Sequence, residues 1–253
     1  MSPEAARTSA RAKARLAGFL YLLIALGAPF AEFYVRSGVI VRGDAAATAA
    51  NILANETLYR LGGAFDLIVL ACDVAVALLF YELLKPVSRT IALLAAFFRL
   101  ALVAVNGANA LTHFAPLFLL GDAAYLAAFT PEQLQALALT SLRLHTTGFT
   151  VALFFFGFNC LAMGWLIWRS AFLPRILGPL MAVAGLCYLV SSFTGLALPS
   201  LRAAIGLFIL APAGVAELSL LVWLIVFGVN EERWHEQAHA ARSGGGPAPD
   251  ERP

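Results

Sequence analysis

The chain has 253 residues, a mean hydropathy of +0.83, and charged side chains at only 13% of its positions. This composition excludes an ordinary soluble domain, in which about a quarter of the residues are charged. The formal net charge of +2 is too small to indicate binding to nucleic acid, so we expect no nucleic-acid partner.

Apolar runs of near-membrane length recur along the chain, and each can cross a hydrocarbon core of about 30 Å. These runs must be helical, because a helix satisfies its own backbone hydrogen bonds in lipid at this length. We therefore predict an all-α protein, a polytopic membrane helix bundle with six transmembrane helices and the lipid bilayer as its main partner. The predicted spans are residues 16–33, 58–84, 90–111, 145–168, 176–198 and 203–229.

Three regions follow from this pattern. Residues 1–15 are predicted to form a basic cytoplasmic tail, and residues 16–230 the transmembrane domain. Residues 231–253 are predicted to form a cytoplasmic tail that is disordered from about residue 243. The first span resembles a signal peptide, but residues 28–32 lack a small-x-small cleavage site, so we expect an uncleaved helix.

Basic residues are distributed unevenly between the two sides of the predicted bundle. Eleven lie before the first span, in the second-to-third and fourth-to-fifth turns, or in the C-terminal tail. Five lie on the opposite side, and the seventeenth, Arg99, lies inside a span. The positive-inside rule therefore predicts that both termini are cytoplasmic.

Six segments, which begin near the end of the first span, resemble a known family. The segments that match are FAEFYVRS at 30–37, VRGDAAATAANI at 41–52, CDVA at 72–75, YELLKPV at 81–87, HTTGF at 145–149 and RSAFLPRILG at 169–178. They resemble the bacterial membrane family known as domain of unknown function 4386, and the resemblance covers about residues 15–200. It implies an uncharacterised multi-spanning protein of the bacterial inner membrane, with no activity to carry over.

The second and third spans are predicted to form a hairpin that turns at residues 85–89. Asp66 and Asp73 are seven residues apart, so they share one helix face. Arg99 and Asn106 share a face of the next helix for the same reason. A turn at Pro86 places Asp73 level with Arg99 and Asp66 level with Asn106.

A charge at mid-bilayer depth costs about 2.5–3.5 kcal/mol, so such charges are normally paired inside the bundle. We therefore predict a buried ion pair between Asp73 and Arg99. The same register places Tyr59 level with His113.

A long segment separates the third span from the fourth. Pro116 is predicted to end or kink the third helix. Thr130, followed by Pro131, predicts the start of another helix. The pattern leaves open whether residues 130–144 lie on the membrane surface or extend the fourth span.

Intramembrane polar side chains are candidates for a ligand site or a structural polar core, because they are costly to bury. The set is Asp66, Asp73, Arg99, Asn106, Asn109, Asn159 and Glu217. Of these, Glu217 has no obvious partner in the sequence. Cys72, Cys160 and Cys187 lie in three different spans without metal-type spacing, so we expect them to be packing residues.

Two pairs of histidines are candidate metal ligands. His113 follows the end of the third span and His145 starts the fourth, so both lie on the same side of the membrane. With Asp66 they provide the donor types of a catalytic zinc site. His235 and His239 form an H-E-x-x-H pattern, but the short tail offers no well-placed third ligand. For this pattern we favour a solvated helix beside the membrane.

Three functions stay open from the sequence. The leading interpretation is a non-enzymatic membrane protein with a small-ligand or solute site around Asp66, Asp73 and Arg99. The alternatives are a membrane-embedded metal-dependent hydrolase that uses His113, His145 and Asp66, and a small proton-coupled transporter. No nucleotide loop, nucleophile elbow or redox motif is present, so we expect no cofactor, and a homo-oligomer is compatible with the pattern.

Overall fold

A computed structural model describes residues 9–206 and 208–243, and these residues contain helices but no strand. Six of the helices are long and apolar enough to cross a membrane, which confirms the predicted fold class. The predictions for residues 1–8 and 244–253, at the ends of the two tails, lie outside the described residues.

The first span, α1, covers Ala10–Val39 and starts six residues earlier than the predicted span. The Ser9 side chain caps its N-terminus by accepting a hydrogen bond from the Ala12 backbone N–H. Near its other end, Phe30–Arg36 is a π-helix, a conformation that is common at functional sites.

A short helix, α2, covers Ala45–Ala54 and is followed by the second span, α3, over Glu56–Leu84. Asp44 caps α2, because its side chain accepts a hydrogen bond of 2.8 Å from the Ala47 backbone N–H.

The third span, α4, covers Arg89–Leu119 and is capped by Ser88, so the hairpin turn lies where it was predicted. Pro116 was predicted to end or kink this helix. It does not end the helix, because α4 continues through it to Leu119. Pro116 lies in the last turn, where the loss of one backbone donor is tolerated more easily than in a helix interior.

The fourth span is part of one long helix, α5, over Pro131–Arg169. Thr130 and Gln133 form a reciprocal capping box at its start. Its 39 residues extend about 58 Å at 1.5 Å per residue, which is longer than a hydrocarbon core of about 30 Å. The segment that the sequence left open therefore extends the fourth span.

The remaining helices are α6 over Leu177–Ala197, α7 over Pro199–Ile205, α8 over Ala211–Val226 and α9 over Glu231–Ser243. The sixth membrane-length helix comprises α8 and a preceding 3₁₀ turn, over Phe208–Val226.

The spans form a ring. Each span packs against the next along the chain, from α1 through α3, α4, α5, α6 and α8, and α8 packs back against α1. The main hydrophobic core lies inside this ring, and a smaller one lies where α1, α2, α3 and α5 meet at one end. The polar side chains predicted to be intramembrane are distributed between these two regions.

Candidate metal centre

Three helices bring Asp66, His113 and His145 together at one end of the bundle. The residues lie on α3, α4 and α5, and each can offer one ligand atom, with all three atoms within 4.8 Å of one another. Both histidines are buried, whereas the Asp66 side chain is 20% exposed. Among residues 9–206 and 208–243, no other group of three or more His, Cys, Asp or Glu side chains has this spacing.

The imidazole of His113 is oriented by the backbone of α3. Its Nε2 lies 3.0 Å from the carbonyl oxygen of Tyr59, which can only accept, so Nε2 carries the proton and Nδ1 keeps its lone pair. This Nδ1 is buried and has no hydrogen-bond partner among the described residues. Because buried polar atoms are nearly always satisfied, an unpartnered lone pair beside a second imidazole and a carboxylate indicates a site for a cation.

The side chain of Tyr59 also contacts His113, through a ring stack and a hydrogen bond. The phenol ring stacks on the His113 imidazole with 4.2 Å between ring centroids. The Tyr59 hydroxyl donates a hydrogen bond of 2.5 Å to the His113 carbonyl oxygen. The equal depth of these two residues was predicted from the hairpin turn.

His145 is held in a similar way by α4. Its Nδ1 lies 3.2 Å from the carbonyl oxygen of Asn109, so Nδ1 is the donor and Nε2 is left with a lone pair. The Asn109 amide in turn donates a hydrogen bond of 2.8 Å to the carbonyl oxygen of His145. Metal-binding histidines commonly donate their second ring N–H to a carbonyl, and both histidines here have such an acceptor.

The third residue, Asp66, is paired with Arg36, a partner that the sequence did not predict. Arg36 Nη1 donates a hydrogen bond of 2.6 Å to Asp66 Oδ2, and its Nε donates one of 2.7 Å to Glu32 Oε2. The sequence placed Asp66 level with Asn106 and named no partner for Arg36. Instead the π-helical turn of α1 buries the guanidinium, whose side chain is 7% exposed.

Two glycines give the site its close helix contacts. A Cβ atom at Gly63 would lie 2.7 Å from His113 Cδ2, and one at Gly148 would overlap the Asn109 amide. Both positions were missed as part of the site, although Gly148 lies in the HTTGF segment that carries the family resemblance.

The smaller hydrophobic core covers this end of the site. It consists of Val35, Val39, Ile52, Tyr59 and Leu142, and α2 packs over α5 beside it. This cover shields the imidazoles, while the partial exposure of Asp66 leaves access from one side.

The predicted pair of Asp73 and Arg99 forms a separate polar cluster inside the main core. Arg99 donates to Asp73 Oδ1 through Nε at 2.8 Å and through Nη2 at 2.5 Å. The side chains are 7% and 2% exposed, respectively. The rings of Tyr21, Phe80 and Phe156 lie 5.1, 5.9 and 5.5 Å from Arg99 Cζ, so aromatic faces surround the cation.

Glu217 does have partners, which corrects the sequence interpretation. It accepts hydrogen bonds from the hydroxyls of Tyr21, at 2.6 Å, and Tyr188. Asn159 donates to the Ala95 carbonyl at 2.8 Å, and no hydrogen bond of Asn106 is found within the described residues. Because Asp66 and Asp73 bind different arginines, the predicted polar core is divided into two clusters.

The H-E-x-x-H pattern lies on α9, with His235 and His239 exposed. This helix is not free of the bundle, because Trp234 Nε1 donates a hydrogen bond of 2.9 Å to the carbonyl oxygen of Leu83. No third described ligand joins the two histidines in a metal-type group.

The arrangement at the first site has the donor set of a catalytic metal centre. Two imidazole nitrogens and one carboxylate oxygen leave one position of a tetrahedral ion open, and zinc hydrolases commonly use this set. The second cluster contains a closed ion pair and a carboxyl that is hydrogen-bonded to two tyrosines, which is an arrangement suited to holding helices together.

Comparisons with known proteins identify a family but carry no activity. An uncharacterised protein of Archaeoglobus fulgidus is 27% identical over 175 residues, which cover 68% of this chain and 85% of the relative. No solved structure matches the chain significantly. The pattern of the family described as "Domain of unknown function (DUF4386)" matches residues 16–228, so the chain belongs to this family.

Proposed function

We propose that this membrane protein binds a divalent transition-metal ion through Asp66, His113 and His145, and that the ion serves a hydrolytic reaction at the membrane. Zn²⁺ fits the two imidazoles and one carboxylate best. This is the metal-dependent hydrolase among the alternatives left open by the sequence.

The observation that carries the proposal is the orientation of the two imidazoles. Carbonyl oxygens of Tyr59 and Asn109 accept the N–H groups of His113 and His145, which leaves one lone pair on each ring. One nitrogen of each imidazole lies within 4.8 Å of an Asp66 carboxylate oxygen. A purely structural histidine pair would be expected to satisfy its second nitrogen as well, whereas His113 Nδ1 is unpartnered among the described residues.

The chemistry would follow from the open coordination position. Asp66, His113 and His145 would hold the ion, which would supply Lewis-acid activation of a water for attack on the carbonyl carbon of an ester or amide. The bond from that carbon to the alcohol or amine would break, and the leaving group would take up the proton that the water loses. Arg36, which contacts Asp66, is the cation placed to stabilise the negative charge that develops on the substrate oxygen.

Metal stoichiometry in purified protein tests the first half of the proposal. After incubation with Zn²⁺ and removal of unbound metal, we expect one ion per chain by elemental mass spectrometry. His113→Ala and His145→Gln should abolish this retention, and Asp66→Asn should weaken it. The double variant His235→Ala/His239→Ala removes the two other histidines of the chain and should retain the ion.

A thermal readout separates loss of binding from loss of folding. Zn²⁺ at about 100 times its dissociation constant should stabilise the wild type by about 2.7 kcal/mol. The site variants should melt cooperatively but show no zinc-dependent shift. A wild type that retains no zinc, or a zinc ion lost only with the tail histidines, would contradict the metal centre.

Hydrolysis needs its own assay. The zinc-loaded protein in mixed micelles should release carboxylic acid from at least one member of a panel of lipid esters and amides, and His145→Gln should not. Stoichiometric zinc without turnover on such a panel would leave a metal-binding membrane protein and reject the hydrolase.

We extend the proposal to the cellular location, a bacterial inner membrane with both termini in the cytoplasm. The uneven distribution of basic residues supports this orientation. The even number of membrane-length helices supports placing both termini on one side.

A further inference from the structure

A groove lies at the end of the bundle where α1 begins and α8 ends. It has a volume of about 380 Å³, which is within the range of about 300–1,000 Å³ for small-molecule sites. Its walls come from the start of α1, the connection between α5 and α6, and the turn between α8 and α9. Because spans end at this level, the groove lies at the depth of lipid headgroups.

The polar lining of the groove is cationic. Arg11 and Arg233 contribute guanidinium groups, and Asn230 contributes an amide. Among residues 9–206 and 208–243, no acidic side chain lines the groove. Neither arginine forms an ion pair with another residue of the described part of the chain. Arg233 makes one long hydrogen bond of 3.5 Å to the Ala171 carbonyl, so most of its donors remain available.

The rest of the lining is apolar and includes three aromatic side chains. Phe172, Trp223 and Phe227 line it, and the last two rings pack with centroids 4.4 Å apart. The groove therefore combines two cations with an apolar wall, which matches an anionic headgroup attached to an acyl chain.

Hydrogen bonds between distant segments hold the walls in place. The Asn230 N–H donates a bond of 3.1 Å to the Phe172 carbonyl, and the Ala171 N–H donates one of 3.0 Å to Gln237 Oε1. Gly228 makes the turn with a φ of +67°, a conformation that a residue with a side chain rarely adopts. The two ends of the groove are thus fixed relative to each other by the fold.

We propose that this groove binds the phosphate headgroup of an anionic membrane phospholipid, with Arg11 and Arg233 contacting the phosphate and Trp223 and Phe227 contacting the first part of the acyl chain. This site is independent of the proposed metal centre, because it uses different residues at the other end of the bundle.

The test measures lipid selectivity of the full chain in nanodiscs made from equal amounts of phosphatidylglycerol and phosphatidylcholine. Native mass spectrometry of the released protein should show retained phosphatidylglycerol in preference to phosphatidylcholine, by about thirtyfold for two contacting arginines. The variant Arg11→Gln/Arg233→Gln should lose this preference, and Arg11→Lys/Arg233→Lys should keep part of it, because the charges remain.

A matched control removes the same charge from the same end of the bundle. Arg89 and Arg242 are exposed and do not line the groove, so Arg89→Gln/Arg242→Gln should retain phosphatidylglycerol as the wild type does. Equal retention of both lipids by the wild type, or equal losses in the two glutamine variants, would overturn the site. A rise in melting temperature with inorganic phosphate that depends on Arg11 and Arg233, without selective lipid retention, would also overturn the site. That result would indicate that the groove binds a soluble anion. Circular dichroism of each variant verifies that the helices are intact.

Discussion

At the residue scale, the two aspartates of α3 each bind an arginine but differ in solvent exposure. Asp73 and Arg99 are enclosed together in the main core, with one oxygen of Asp73 accepting both hydrogen bonds. Asp66 shares Arg36 with Glu32 and is partly exposed. A carboxylate has about four lone-pair positions, so Asp66 can contact both Arg36 and a metal ion.

The substitution Tyr59→Phe separates the two contacts that this residue makes with His113. The imidazole N–H is bound by the backbone carbonyl of Tyr59, which the substitution keeps, and only the phenol hydroxyl is lost. We expect zinc retention to be unchanged and the free energy of unfolding to fall by about 0.5–1.5 kcal/mol, measured by thermal denaturation with and without zinc. Tyr34→Phe is the control, because Tyr34 is 64% exposed. Loss of zinc in Tyr59→Phe would contradict the backbone as the orienting group.

A double-mutant cycle tests the energy of the buried pair. Asp73→Ala and Arg99→Ala should each cost about 3–5 kcal/mol, because each strands a buried partner. The double variant Asp73→Ala/Arg99→Ala should cost less than the two single losses together. The exposed pair of Glu56 and Arg60, with side chains 44% and 57% exposed, should couple by only about 0.3–0.5 kcal/mol in the same assay. Additivity within about 0.5 kcal/mol for Asp73 and Arg99 would mean that they do not interact.

At the element scale, α5 and α6 approach closely because glycines face each other. A Cβ atom at Gly164 would lie 2.7 Å from the Gly178 carbonyl oxygen, and one at Gly185 would lie 2.7 Å from the Gly157 carbonyl oxygen. Small residues at such positions let the backbones of membrane helices approach closely.

The substitution Gly164→Ala should therefore destabilise the bundle despite the higher helix propensity of alanine. The added methyl group must move the backbone of α6, and overpacking of this kind costs about 1–3 kcal/mol. Gly107→Ala is the matched control, because no atom lies within 4 Å of its added Cβ, and it should stabilise α4 by up to about 1 kcal/mol. Thermal denaturation in detergent measures both. Equal stabilisation by the two variants would contradict the close contact.

Hydrophobic runs and hairpin geometry explain which local features were predictable. Run length located the spans, and equal depth about Pro86 identified the contact between Asp73 and Arg99. The partner of Asp66 was not predictable in this way, because α1 reaches the site through a π-helical turn that changes which face carries Arg36. The four-residue spacing of Glu32 and Arg36 was an available signal, but it is equally typical of a pair at the membrane interface.

At the scale of the whole molecule, the ring of spans places the two proposed sites at opposite ends. The metal centre lies where α2 covers α3 and α5, and the groove lies where α9 follows α8. The sequence predicted the number of spans and their hairpin order, which follow from length and hydropathy. It could not predict that α8 closes on α1 or that Glu217 meets Tyr21, because contacts between distant spans depend on packing that no short-range pattern encodes.

The orientation of the molecule in the membrane is the last prediction. The sequence assigns eleven basic residues to the predicted tails and to the turns at the end of the bundle with the groove, against five on the side of the metal centre, so the termini should be cytoplasmic. A reporter that is active only in the periplasm should therefore give no signal when fused to the C-terminus of the full chain in a bacterial host. The same reporter inserted at Gly121, in the connection between α4 and α5 at the other end, should be active. Intact fusions with the opposite pattern would invert the orientation. In that case the metal centre would face the cytoplasm, and the lipids available to the groove would be those of the outer leaflet.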